Sequence, residues 1–198
     1  IFKKGFVKNR NLKYIKNIRK NILQLTFNAK SSHIGSSLSI VEILYTLYFK
    51  KIRKIDRFIL SKGHAALALY CILHEKGILS KKIIDTFGKN GTPLMAHASH
   101  KVKGVEFSTG SLGHGLPVGV GKALYFKTNN KKNKVFVLIS DGELNEGSTW
   151  ESLLFACHHR LDNLCIIIDN NKIQSLGHVK NIIKLEPLKN KLESFGAK

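Results

Sequence analysis

Val135-Phe136-Val137-Leu138-Ile139, closed by Ser140-Asp141-Gly142, and Leu164-Cys165-Ile166-Ile167-Ile168, closed by Asp169-Asn170-Asn171, decide the fold class. Each is a continuous apolar run of strand length, bounded by turn-forming polar residues and without the alternation of a half-exposed strand. Strands apolar on both faces belong to parallel sheets covered by helices on both sides. Between the two runs, Trp150 to His159 has helical character. The pattern therefore predicts an α/β fold, a parallel sheet with helices on both faces.

Upstream segments extend that reading. Arg57 to Ser61 is a short strand ending in Ser61-Lys62-Gly63-His64, and Ala65 to Glu75 is a helix that Gly77 stops. Leu12, Ile15, Ile18, Ile22 and Leu25 recur at helical spacing with lysines between them, which predicts an amphipathic helix over 12–29. Ser31 to Ser37 reads as a small-residue loop around His33 and Gly35. Ser39, with Glu42 three residues on, predicts a capping box for a helix over Ile40 to Phe49. Lys81 to Phe87 predicts a short helix leading into a polar stretch with Gly91, Pro93, His97 and His100. Gly104, Gly110, Gly113, Gly115, Gly119 and Gly121 lead into an apolar helix ending near Phe126, then a basic linker, Asn129 to Lys134. No repeat and no domain-separating linker interrupts the chain, so residues 1–198 are read as a single domain.

The composition excludes several classes. With 198 residues and 43% hydrophobic content the chain can bury a core, removing roughly 70% of its unfolded surface from water. Disorder is excluded on that ground. No apolar run approaches the roughly 20 residues that span a bilayer, and Ile1 to Lys30 lacks the apolar block of a secretory signal, so a cytoplasmic protein is expected. Cys71, Cys157 and Cys165 form no CxxC pair and are odd in number, against a disulfide framework or a zinc ribbon. Each is surrounded by apolar residues and is read as a small core residue. The formal charge of +20 invites a polyanion reading. Yet 28 Lys stand against 5 Arg, Ile and Asn are also abundant, and basic residues from Lys3 and Lys4 to Lys189 are scattered. Nucleic-acid contact favours the Arg fork. An AT-rich coding bias explains the charge better, and nucleic acid is disfavoured as a partner.

Ligands of open parallel sheets bind beyond the carboxyl ends of the strands. Asp141 and Asn171 follow the two apolar runs and face one another if those strands are neighbours. A carboxylate, an amide oxygen and a nearby backbone carbonyl are hard donors suited to Mg2+ or Ca2+, although an Asp-Gly after a strand is also ordinary turn chemistry. The glycine cluster lacks the strand and spacing of a dinucleotide loop, and close helix packing explains Gly113, Gly115, Gly119 and Gly121 better.

The 30-residue spacing from Asp141-Gly142 to Asn171 resembles the thiamin diphosphate signature. Ser61-Lys62-Gly63-His64-Ala65, Ser108-Thr109-Gly110-Ser111-Leu112-Gly113-His114-Gly115, Asp141-Gly142-Glu143-Leu144-Asn145-Glu146-Gly147 and Asp169-Asn170-Asn171-Lys172-Ile173 occur in family order. Together they resemble transketolase, in particular the amino-terminal subunit of the split bacterial form, over about Leu12 to Gly196. The resemblance implies a thiamin diphosphate-binding fold and transfer of a two-carbon ketol unit from a ketose phosphate to an aldose phosphate. It implies Mg2+ on Asp141, Asn171 and the Ile173 carbonyl. Gly142 corresponds to a glycine at the diphosphate, His64 to a histidine contacting it, and Gly110, Ser111 and Leu112 to the segment lining the cofactor. His33 and His97 correspond to histidines facing the sugar, the catalytic set with His64. Glu146 corresponds to a glutamate of the subunit interface beside the cofactor; an exposed first-turn helix residue is the alternative. His100, His114, His158 and His159 are read as structural.

Departures accompany the match. Ser140 stands in place of the signature's first glycine, Ser32 in place of a glycine before His33, and Ala96 and Ala98 flank His97 where relatives have Gly and Pro. The resembled domain extends beyond Lys198, and the activating glutamate belongs to the family's second domain. The expectation is a carboxyl-terminally incomplete domain, inactive without a carboxyl-terminal transketolase subunit carrying the pyrimidine-binding domain, in a hetero-oligomer built on a dimer. A deoxyxylulose phosphate synthase-like portion and a noncatalytic basic assembly module are the competing readings. Glu143 to Trp150 and Asn171 to Gly177 favour transketolase over the synthase.

Overall fold

The computed structural model describes the backbone of residues 9–198 and the side chains of residues 12–198. Lys3, Lys4 and the start of the expected signal-free amino terminus lie outside the described residues. Helix α1 spans Asn9–Ala29, α2 Ile34–Ser39 and α3 Val41–Thr46, which runs into a wider turn over Leu47–Lys51. Strand β1, Arg57–Leu60, leads through a 3-10 turn, Gly63–Ala65, into α4, Ala66–Glu75, and α5, Lys81–Ile84. Then follow α6, Gly115–Thr128; β2, Val135–Ser140; a 3-10 turn, Gly142–Asn145; α7, Gly147–His158; and β3, Leu164–Asp169. A two-residue hairpin, β4 Ile173–Gln174 and β5 Gly177–His178, and the short helices α8, Val179–Ile182, and α9, Leu188–Ser194, complete it.

The predicted parallel sheet is present, in the order β1-β2-β3. Arg57 pairs with Val135 and Leu60 with Leu138, while Val135 pairs with Leu164 and Ser140 with Asp169. Side chains alternate between two cores. Phe58, Leu60 and Leu138 face Ile18, Ile22, Leu44 and the first eight, buried residues of α4; Ile59, Val137 and Ile139 face Leu116, Val120 and Ala123 of α6 and Ala156 of α7. Fully buried Ile18 and Ile22 each contribute roughly 1.5–3 kcal/mol through removal from water, which is what holds the lysine-rich α1 to the domain. Among the described residues no helix is long and apolar enough to cross a membrane.

Several sequence expectations are corrected. The segment read as a loop over Ser31 to Ser37 is helical from Ile34, and His33 before it takes a left-handed φ of 66°. Ser39 does not cap: Ile40 occupies that junction, the Ser39 hydroxyl donates to Asp169 at 2.6–2.7 Å, and Glu42 forms a fork with Arg19 at 2.7 and 2.8 Å. The hydroxyl is turned toward the buried carboxylate at the sheet end and away from the helix amides. Beyond Ile84 the predicted helix to Phe87 unwinds into turns. Cys71 is buried, but Cys157 is only half-buried and Cys165 is exposed on β3, an edge strand of the sheet. Close packing explains Gly115 and Gly119, whose added Cβ atoms would meet Ser61 at 2.5 Å and Val137 at 2.3 Å, whereas Gly121 faces open space. Close packing also explains Gly113, where a Cβ would meet Ser148 Oγ at 2.5 Å and Glu146 Cβ at 2.8 Å, and its φ of +77° adds a second reason.

Candidate functional site at the carboxyl ends of the strands

The three strands deliver their next residues to one edge. Asp141 follows β2, is 1% exposed, and its Oδ2 accepts the Lys172 amide at 2.8 Å. Its own amide donates to the Asp169 carbonyl at 3.3 Å. Asn171, beyond β3, donates through Nδ2 to Asp169 Oδ2 at 3.1 Å and to Ser39 Oγ at 3.2 Å, while its Oδ1 accepts the Ile173 amide at 2.9 Å. Asp141 thus anchors, through the Lys172 amide, the turn that carries Asn171 and Ile173, in which Lys172 takes a left-handed φ of 68°. Burial pushes the Asp141 carboxyl above its ordinary value, overriding the Lys172 and Gly142 amides that favour the ionised form.

Lys62 and Asp169 form an ion pair of 2.6 Å with side chains only 1% and 7% exposed. Glu143, fully buried, accepts the Ser61 hydroxyl, the Gly113 amide at 3.1 Å and the Ser140 amide at 2.9 Å. Ser61 in turn accepts the Gly115 amide at 3.1 Å. Burial raises the Glu143 pKa against these donors. The carboxylate therefore ties the start of α6 and its preceding loop to β1 and β2.

A histidine cluster adjoins these groups. The His33 ring lies 5.6 Å from that of His64 and 5.5 Å from that of His97. Burial, then the Lys62 charge and the two neighbouring histidines, holds the His64 pKa down to about 4. His33 is also lowered, by burial and by His97. Tyr70 donates to the His97 carbonyl at 3.0 Å, and Gly110 packs against the His97 ring, a Cβ there lying 3.5 Å from it. Thr109 sits so close to Gly63 that a Cβ on Gly63 would meet its carbonyl oxygen at 2.4 Å. Ser111 is exposed and Leu112 half-buried on the same loop. Glu146 is exposed at the start of α7, beside Gly113, and its side chain makes no cap.

The structure thus gathers His33, His64, His97 and Gly110 into one group, and Asp141, Gly142, Asn171 and Ile173 into a second. The Lys62–Asp169 pair adjoins both. Sequence reasoning gave Ser39 to a cap and left Lys62, Glu143 and Asp169 without roles. The available signal was their position directly after buried strands, the same signal that singled out Asp141.

A divalent cation fits this donor set. Among the described residues no group of three His, Cys, Asp or Glu side chains is arranged for a metal, so hard amide and carbonyl oxygens must complete any shell around Asp141. Beside Gly142, Gln174 Nε2 and Asn145 Oδ1 are buried without hydrogen-bond partners, orphans that a bound polar group would satisfy.

A family model described as transketolase, thiamine diphosphate binding domain, matches residues 10–197. The chain belongs to the transketolase family. It is 44% identical over 195 residues to one of the subunits of the apulose-4-phosphate transketolase of Actinobacillus succinogenes, covering 93% of this chain and 71% of that protein. It is 40% identical over 187 residues to the corresponding polypeptide of Phocaeicola vulgatus, covering 90% and 66%. The chain spans about two thirds of the length of these relatives. The transketolase structure from Campylobacter jejuni superposes with a TM-score of 0.90 at 29% identity, over 96% of this chain and 33% of that one. The fold is the thiamin diphosphate-binding fold of transketolases.

Proposed function

We propose that this chain is the thiamin diphosphate-binding part of a two-polypeptide transketolase that moves a two-carbon ketol unit from a ketose phosphate to an aldose phosphate. The observation that carries the reading is the turn-locked set of Asp141, Asn171 and Ile173 beside a cluster of three histidines. In this reading Asp141, the Asn171 amide oxygen and the Ile173 carbonyl would hold Mg2+, whose charge would offset that of the diphosphate. Gly142, Gly110, Ser111 and Leu112 line the cofactor, and Glu146 lies toward the partner. When bound, thiamin diphosphate supplies the carbon nucleophile and the electron sink.

The histidines divide by exposure. His64 is half-buried and uncharged at neutral pH, suited to donate one fixed N–H to a diphosphate oxygen. His33 and His97 are exposed, where their ring nitrogens can donate to or accept from sugar hydroxyl and carbonyl oxygens as protons move. The apulose-4-phosphate transketolase relatives are named as subunits of their enzymes, which supports a second polypeptide, bearing the pyrimidine-binding domain, without which the chain is inactive. A cytoplasmic setting fits its three free thiols.

The test is calorimetric titration of the assembled protein with thiamin diphosphate, with and without Mg2+. Asp141→Ala should weaken metal-dependent binding about a hundredfold, the ~3 kcal/mol of a lost charge-assisted contact. Equal affinity for wild type and variant sinks the metal assignment. His33→Ala and His97→Ala should impair turnover more than cofactor binding, and His64→Ala the reverse.

A further inference from the structure

Lys62 leaves β1 and Asp169 ends β3, the two outer strands of the sheet. Their ion pair therefore spans the carboxyl end of β2, directly where Asp141 emerges. A lysine 1% exposed and an aspartate 6% exposed are poor candidates for touching substrate, and a buried pair by itself is weak support for stability. What distinguishes this pair is its next contact. Both N–H donors of the Asn171 amide are used, one on Asp169 Oδ2 and one on Ser39 Oγ. Ser39 in turn donates to Asp169, so the hydroxyl and the carboxylate form a single cradle for the NH2 end of Asn171. With that end captured, the amide oxygen is aimed away from the cradle, onto the Ile173 amide.

We propose that Lys62 and Asp169, with Ser39, are positioning residues that hold the Asn171 amide oxygen and the Ile173 turn toward the cation-diphosphate site, an inference that rests on the function proposed above. The chemistry is directional. The Asp169 carboxylate accepts from three donors, Ser39, Asn171 and Lys62, and the Lys62 ammonium at 2.6 Å fixes its orientation. Remove Lys62 and the carboxylate loses the partner that fixes its orientation, so Asn171 loses its anchor. Outer-shell groups that orient ligands in this way commonly change metal affinity about 10–100-fold. A direct diphosphate contact by Lys62 is the rival role, and its pairing with Asp169 opposes it.

The experiment measures Mn2+ affinity by electron paramagnetic resonance, in the native assembly with saturating thiamin diphosphate, beside thermal melting without either. Lys62→Met should weaken Mn2+ binding about tenfold or more. Adding Asp169→Asn removes the stranded charge yet keeps an acceptor for Asn171, so the double variant should recover to within about threefold of wild type. Ser39→Ala, a milder change if Lys62→Met does not fold, should weaken Mn2+ several-fold in the same direction. Unchanged Mn2+ affinity in Ser39→Ala and in a folded Lys62→Met, whatever their melting temperatures, overturns the proposal. A double variant as weak as Lys62→Met also overturns it, since that pattern marks direct contact by the lysine. If the wild-type assembly binds no Mn2+ in a thiamin diphosphate-dependent way, the proposed function itself falls, a result distinct from any of these.

Discussion

Glu143 accepts the Gly113 amide at 3.1 Å, joining the loop before α6 to the turn after β2, 30 residues later in the chain. The same carboxylate serves Ser61 and Ser140, so three donors from three segments depend on one buried side chain. Glu143→Ala strands all of them away from water. The expected loss is about 3 kcal/mol of unfolding free energy, read from urea denaturation. A loss below about 0.5 kcal/mol, the range of ordinary surface changes, contradicts the clamp.

His64 should titrate far below an exposed histidine. Its pKa in the folded protein is about 4 against an ordinary 6.5, because burial and the Lys62 charge disfavour the imidazolium. The sign follows from linkage: the folded state binds the proton less readily than the unfolded chain. The stability that neutral His64 contributes is full above pH 6.5 and is lost as pH falls toward 4. Ring-nitrogen NMR should find His64 neutral at pH 5.5, and His64→Gln should flatten the decline in stability across that window.

Two glycines on one helix should respond oppositely to alanine. At Gly119 the new Cβ would lie 2.3 Å from a Val137 methyl in the packed α6–β2 contact, and overpacking of this kind costs about 1–3 kcal/mol. At Gly121 nothing lies within 4 Å, and replacing an exposed helical glycine gains roughly 0.5–1 kcal/mol. Thermal melting of the two variants should move in opposite directions; parallel shifts contradict the packing of α6 on β2.

Asp56 should govern acid stability. Burial alone would raise its pKa, but the Arg53 guanidinium, the Lys134 and Arg53 amides and the Arg53 charge outweigh that and hold it at about 2. These bonds, 2.7–3.0 Å long, anchor the turn before β1 to the start of β2. The folded pKa lies below the ordinary 3.8, so this stability is present above pH 3.8 and lost as pH falls through 2. Asp56→Asn should lower stability by about 2 kcal/mol at pH 7 and by much less near pH 2, checked by denaturation at both.

The strands were legible because their signal is local. Val135 to Ile139 and Leu164 to Ile168 are apolar on both faces, which a parallel sheet between helix layers satisfies and a half-exposed sheet does not. The α1 face was equally plain, since Ile18, Ile22 and Leu25 repeat with the helix period and are the residues buried. Element ends were less so. Ser39 and Glu42 have the local chemistry of a capping box, yet both side chains take partners elsewhere, on Asp169 and Arg19.

By itself the sequence determined the α/β class, the strands that carry the site, and the residue types placed after them, because hydrophobic periodicity and turn chemistry act within a few residues. Only the tertiary structure decided which of those polar groups meet. Ser61 finds Glu143 across 82 residues, Lys62 finds Asp169 across 107, and Ser39 finds Asp169 across 130. Burial at the sheet end is what makes those partners obligatory: a carboxylate or ammonium removed from water must be paired there, and the pairing depends on which strands lie side by side.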